Sequence, residues 1–332
     1  MRKYVVPFMA CLLSCSAVSA FWPEAVDSSL EMGFGYRRDK FNWETKSDTF
    51  VDAPTNVSSN LTWRDLNIWQ IRAAGKYVTC EDIYFRGYID YGWITHGKVI
   101  DSDFISAASG ATSGPSRNAN SNLESSEFRR STGKSKKGHT YDTSIAAGYL
   151  FRMCCDTIGI APVVGYSWHG QHLNIRKFNQ ITVNTSSSSS GLSDNARSKY
   201  NARWNGPFIG VDLDYKFYCD WTLLASYEYH FAKYHAKGHW HLRPDLIDGF
   251  NHRASNADGQ VANIGIKWDF CECWTLGLIG QWQWFQAKHG HDKARINQLK
   301  AGDNRTDCFL TSPLKRVNWR SASINIDVGL VF

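Results

Sequence analysis

After residue 20 the chain has no apolar run near the ~18–20 residues that a membrane-spanning helix requires, which excludes a helical membrane protein. Proline is scarce, at 8 in 332 residues. Charge of one sign is not in great excess either: the formal net charge is +6, and nothing in it calls for a nucleic-acid partner. No recognised zinc spacing joins the cysteines. Aromatics, by contrast, are abundant, with 14 Trp, 15 Tyr and 18 Phe.

The opening "MRKYVVPFMACLLSCSAVSA" has the form of a secretory signal. Arg2 and Lys3 make a basic start, Tyr4 to Leu13 an apolar run, and Val18-Ser19-Ala20 a small-residue cleavage site. Cys15 offers a lipoprotein cut as the alternative. Cleavage after Ala20 leaves residues 21–332 as the mature unit and lowers the formal charge from +6 to +4 by removing Arg2 and Lys3. An exported, aromatic-rich, moderately polar chain without a helical span points to a ten-stranded antiparallel transmembrane β-barrel, all-β, in the outer membrane.

The last strand carries the pattern most clearly. Phe332, Leu330, Val328, Ile326 and Ile324 share one parity, while Gly329, Asp327, Asn325 and Ser323 share the other. That is the lipid-out, lumen-in alternation of a barrel strand. Similar dyads predict strands near 28–43, 63–79, 83–96, 140–153, 158–176, 203–218, 221–238, 260–271, 274–288 and 316–332. Short turns alternate with long polar loops at 44–62, 97–139, 177–202, 239–259 and 289–315, which predicts both termini and all short turns on the periplasmic side. Ten strands argue against an open general porin, whose barrels have roughly sixteen to eighteen; a narrow pore stays open as a reading. The serine run Ser186 to Ser190 reads as a flexible spacer. The 97–139 loop has seven Lys or Arg against four acids, suiting an anionic surface such as lipopolysaccharide phosphate.

Six cysteines fall at the expected short turns: Cys80, Cys154, Cys155, Cys219, Cys271 and Cys273. Cys308 alone falls in an expected outer loop. In an oxidising compartment this predicts disulfides. Turn tips spread around a rim are mostly too far apart to pair within one molecule, so the partners are disulfide-linked envelope proteins. The arrangement resembles the cross-linked outer envelopes of chlamydia-like bacteria.

At the end of the third expected strand, "DYGWITHGKVIDSDF" holds Asp101 and Asp103, two residues apart and so on one side of an extended chain. This stretch resembles the omptins, a family of outer-membrane proteases, where an aspartate pair follows such a strand. "GPFIGVDLDYKF" is similar to their sixth strand, and "YEYHFAKYHAKGHWHLRP" to the strand and loop bearing their Asp-x-His pair. The resemblance implies a ten-stranded barrel with an extracellular endopeptidase site. In it Asp101 and Asp103 are the aspartate couple, His241 the catalytic histidine, and His239 stands where the family has an orienting aspartate. Lys237 stands where the family has an acid that binds a basic substrate side chain. Arg203 and Tyr166 match parts of a lipopolysaccharide-binding site, implying lipopolysaccharide as partner and requirement.

A histidine suits proton transfer near neutral pH, and a neighbouring carboxylate fixes its tautomer and stabilises its cation. A second histidine supplies no such charge. Strict alternation from Trp221 points His239 and His241 outward, so the site requires a bulge near Gly238. His235, His239, His241, His289 and His291 read equally as ordinary exposed histidines, and less well as a Zn²⁺ or Cu²⁺ site; no cofactor is expected. The competing function is a catalytically inert barrel serving as structural protein, adhesin or narrow porin.

Overall fold

The computed structural model describes residues 27–46, 55–107, 126–182, 197–240, 246–299 and 305–332. The expected signal segment, the serine run and His241 lie outside them. The described strands are β1 (Ser29–Lys46), β2 (Thr55–Val78), β3 (Ile83–Ala107), β4 (Ser126–Lys134), β5 (His139–Tyr149), β6 (Phe151–Met153), β7 (Ile158–Thr182), β8 (Ser198–Tyr218), β9 (Trp221–His239), β10 (Leu246–Cys271), β11 (Trp274–Leu299) and β12 (Arg305–Val331).

Outside β4 to β6, each strand pairs antiparallel with its neighbours in sequence, and β1 pairs with β12 to close the sheet. β4, β5 and β6 lie end to end between β3 and β7, so twelve segments make ten barrel staves. The interruptions fall at residues 135–138 and at Leu150.

The staves are far longer than the expected ones. β3 continues to Ala107, and β10, β11 and β12 span 26, 26 and 27 residues. Segments 97–107, 246–259, 289–299 and 305–315, expected to be loop, are strand. Cys308 accordingly pairs with Ile296 within the β11–β12 ladder.

The physical reason is visible along β1. Leu30, Met32, Phe34 and Tyr36 are exposed and share the even parity, while Glu31, Arg37 and Asp39 are buried on the odd parity. From Phe41 the chemistry exchanges faces: Phe41 and Trp43 are buried, while Lys40 faces out and is exposed. Strands β8 and β9 do the same: Ile209 and Phe231 face outward, whereas Trp204, Tyr200 and Tyr234 face inward. The short-turn half is apolar outside and polar inside, as a lipid-embedded barrel must be. The long-loop half is polar outside and apolar inside, as a barrel in water must be. Its core joins Phe41, Trp63, Trp204, Phe285 and Trp319 across the lumen.

On β3 the exposed apolar run extends from Ile83 to Trp93, eleven residues, which matches the ~9–11 that cross a bilayer. Inside this belt, charges compensate each other. Arg37 Nε lies 2.7 Å from Asp39, and the same guanidinium bonds to Asp142. His169 Nδ1 is 2.8 Å from Asp142, and Trp319 Nε1 donates to Asp39 at 3.0 Å. Arg72 pairs with Asp90 at 2.9 Å, and Arg86 with Asp212 and Glu228. Side chains therefore fill the described lumen at two levels, ionic below and aromatic above, as a barrel of this size should.

Candidate functional site

Asp101 and Asp103 both point into the barrel at the long-loop mouth, 7% and 6% exposed. Simple alternation would not put them there. Below Ile94 the inward residues of β3 are even-numbered (Tyr88, Asp90, Ile94); from Gly97 they are odd. The exchange falls where β3 carries one extra residue: Ile94 stands opposite Ile68 and His96 opposite Asn67, which leaves Thr95 between them without a partner in the ladder. This bulge turns the aspartates inward. Asp101 lies across from Leu61 on β2 and Ser131 on β4, and the Ser59 hydroxyl donates to it at 3.5 Å.

No matching bulge acts on the opposite wall. From Thr222 onward β9 keeps one register against β8, and its inward residues run Glu228, His230, Ala232, Tyr234, Ala236 and Gly238. The irregularity expected near Gly238 sits on β10 instead, between Ala254 and Ala257. His239 is therefore exposed on the outer surface opposite Lys199, and Lys237 is exposed on the same face. Neither faces the aspartate pair. Arg203 is also outward and exposed, beside His235, while Tyr166 lies lower, bonded by Asn205 at 2.9 Å.

Among the described residues, the inward histidine of the long-loop half is His252, within a segment expected to be loop. It stands opposite Asp292, with Nε2 3.5 Å from Oδ1. Its Nδ1 is 2.7 Å from Tyr200 Oη, itself 2.5 Å from Tyr234 Oη. A tyrosine hydroxyl donating to Nδ1 leaves the ring proton on Nε2, facing the carboxyl. Trp43 packs edge-on against the imidazole at 4.9 Å, and Phe250 lies at 5.0 Å. The two tyrosines thus bond the imidazole on one side, while its Nε2 and Asp292 Oδ1 stand close without a hydrogen bond between them; the histidine is sealed, and the Asp292 side chain is 19% exposed.

Burial pushes the Asp292 carboxyl up to about 7 and the His252 imidazole down to about 3. The unfolded carboxyl ionises near 4, so its folded-state protonation is lost, with the stability it carries, as pH rises from about 4 through 7. Asp292→Asn should therefore raise the unfolding midpoint at pH 8 and leave it little changed at pH 4, read by denaturant titration at both values.

A second constellation has the order of a hydrolytic triad. Ser167 Oγ is 2.9 Å from His230 Nδ1, and His230 Nε2 is 2.8 Å from Glu228. All three are at most 1% exposed, and Phe208 and Phe285 pack on the imidazole at 4.8 and 5.3 Å. A cavity of about 140 Å³ opens below, lined by Glu31, Arg72, Arg86, Asp212 and Asp327, but Ser167 does not border it. Buried and mutually bonded, the trio acts as a satisfied polar network. Among the described residues, no three His, Cys, Asp or Glu side chains gather as a metal site.

The opposite rim carries the thiols. Cys80, Cys154, Cys155, Cys219, Cys271 and Cys273 are all exposed, and none is in a disulfide among the described residues. Cys154 and Cys155 have φ of 53° and 52°, a left-handed conformation that costs an L-residue about 1–2 kcal/mol. Glycine would avoid that cost and asparagine reduce it. Backbone bonds lace each cysteine-bearing turn to its neighbours: Leu150 N to Asp82 O at 2.9 Å, Lys216 N to Thr157 O at 2.9 Å and Asp269 N to Asp220 O at 2.8 Å.

Among solved structures, the outer membrane protease OmpT from Escherichia coli superposes with a TM-score of 0.69 at 13% identity, over 94% of this chain and 99% of its own. The outer membrane protein OprG from Pseudomonas aeruginosa matches with a TM-score of 0.31 at 8% identity, over 93% and 97%. No curated protein matches. The OmpT likeness is one of fold, and it supports the outer-membrane barrel read from the alternation. Residues 31–332 match the family described as Pom, Protochlamydia outer membrane protein, and the chain belongs to that family of outer-membrane barrels.

Proposed function

We propose that this barrel is a structural protein of the outer envelope, with its short turns in the periplasm and its turn cysteines in disulfides with neighbouring envelope proteins. One observation carries the reading: all six cysteines of the short turns are exposed there, on one rim. Adjacent cysteine-bearing turns stand two strands apart, about 10 Å at ~4.8 Å per strand, whereas a disulfide needs Cα atoms about 4.4–6.8 Å apart. Bonds between molecules meet that limit more easily than bonds within one. The filled lumen favours a structural role over permeation.

Envelopes run on non-reducing gels should show high-mass species containing this chain that collapse with reductant. Serine at all six turn positions should abolish them, while Cys308→Ser alone should leave them intact. Finding the six thiols fully reduced in native envelopes would overturn the reading.

A diverged surface endopeptidase is the second reading, favoured by the inward aspartates at the mouth. In it Asp101 and Asp103 hold a water, with His241 as the base; Arg203 and Tyr166 engage lipopolysaccharide. The outward His239 gives this site no orienting partner, so turnover should be weak. The refolded barrel, with and without lipopolysaccharide, is tested on a random peptide library. Asp101→Asn with Asp103→Asn should remove all cleavage, and cleavage surviving both changes refutes the site.

A further inference from the structure

The outer face of the long-loop half carries a row of cations that neither reading uses. Arg64 on β2 stands directly across from Lys98 on β3, Lys98 from Lys134 on β4, and Lys134 from Arg176 on β7. Alternation turns all four outward, since Trp63, Val99, Ser135 and Ile175 beside them are buried. Arg64, Lys98 and Lys134 are exposed and Arg176 is half-buried. At ~4.8 Å per strand the row spans about 14 Å.

Like charges directly opposite one another destabilise a sheet. Nothing within the described residues offsets this repulsion by a direct contact. None of the four makes an ion pair or side-chain hydrogen bond there, and Arg176 Nε is a buried donor without an acceptor. Asp65, next to Arg64 in the chain, is bonded by Arg38, and its field reaches Arg64 and Lys98 without a contact to either. A stability cost retained on four adjacent strands points to an anion supplied from outside.

Height selects the kind of anion. The row lies five residues beyond Trp93 on β3 and eight beyond Trp168 on β7, both at the edge of the apolar belt. Tilted strands at ~3.3 Å per residue put it about 13–20 Å above that edge. Headgroups occupy only about 5–8 Å beyond the hydrocarbon. Phospholipid phosphates therefore lie too low, and surface glycans lie level with the row.

We infer that Arg64, Lys98, Lys134 and Arg176 form a binding site for an anionic polysaccharide, whose successive phosphate or sulfate groups bridge the four cations. Such a chain comes either from the membrane's own lipopolysaccharide or from a sulfated glycan outside the cell. The inference is independent of the cross-linking reading.

The test uses the refolded full chain in detergent, with heparin fragments as one probe and core-phosphorylated lipopolysaccharide, with its dephosphorylated form, as the other. The variant Arg64→Gln/Lys98→Gln/Lys134→Gln/Arg176→Gln is compared with Lys199→Gln/Lys233→Gln/Arg253→Gln/Lys293→Gln, which removes four cations from other strands. The row variant should bind about tenfold or more weakly, the combined effect of four exposed charge pairs, while the control stays within about threefold. Loss for heparin alone assigns the site to sulfated glycans; loss for phosphorylated lipopolysaccharide alone assigns it to the barrel's own membrane. Thermal unfolding of the row variant should occur no lower than in the wild type, because repulsion has been relieved. Equal loss in both variants, no binding of either probe by the wild type, or a row variant that melts lower would each overturn the inference.

Discussion

Replacing Arg37 with methionine is expected to destabilise the barrel by about 3–5 kcal/mol, the effect of removing one partner from a buried ion pair. The guanidinium is 2% exposed and bonds to both Asp39 and Asp142, and Asp142 also holds His169. Its loss leaves two buried carboxylates facing each other without a cation. Adding Asp39→Asn and Asp142→Asn to the methionine variant should recover most of the loss, because no uncompensated charge is then buried. Urea titration of the refolded barrel reads the difference, and a single variant as stable as the wild type would show that water reaches the network and screens it.

The second large effect concerns the outer face. Ile89 is 59% exposed and lies midway between Phe85 and Trp93 on β3, near the middle of the apolar belt. Ile89→Arg should cost about 2–4 kcal/mol in a lipid bilayer, as for a cation at the bilayer midplane. Asn42→Arg, outward on β1 above the belt, should change stability by no more than about 0.5 kcal/mol. Equal costs at the two positions would mean that the belt is not where the membrane lies.

That belt was legible in the sequence because a strand's side chains alternate with a period of two, and lipid demands apolar residues at every outward position. The dyads over 28–43, 203–218 and 316–332 needed no tertiary knowledge. Above the belt the same alternation continues with its chemistry exchanged, Lys40 outward and Phe41 inward. Long polar faces in water read as loop, so the upper strands were cut short and His252 was missed within one of them. The nearby Ala254–Ala257 bulge further blurred its parity.

The sequence by itself determined the ten staves, the apolar belt and the placement of six cysteines at turns, since each follows from local period and spacing. Tertiary structure decided which way the candidate site residues point. Asp101 and Asp103 face inward because β3 slips by one residue at Thr95 against Asn67 and Ile68, and His239 faces outward because β9 holds one register against β8 from Thr222 onward. A bulge is a property of two paired strands, and one residue of slip reverses every side chain beyond it. For the same reason Arg64, Lys98, Lys134 and Arg176, dispersed over 113 positions of chain, become neighbours only once four strands have paired.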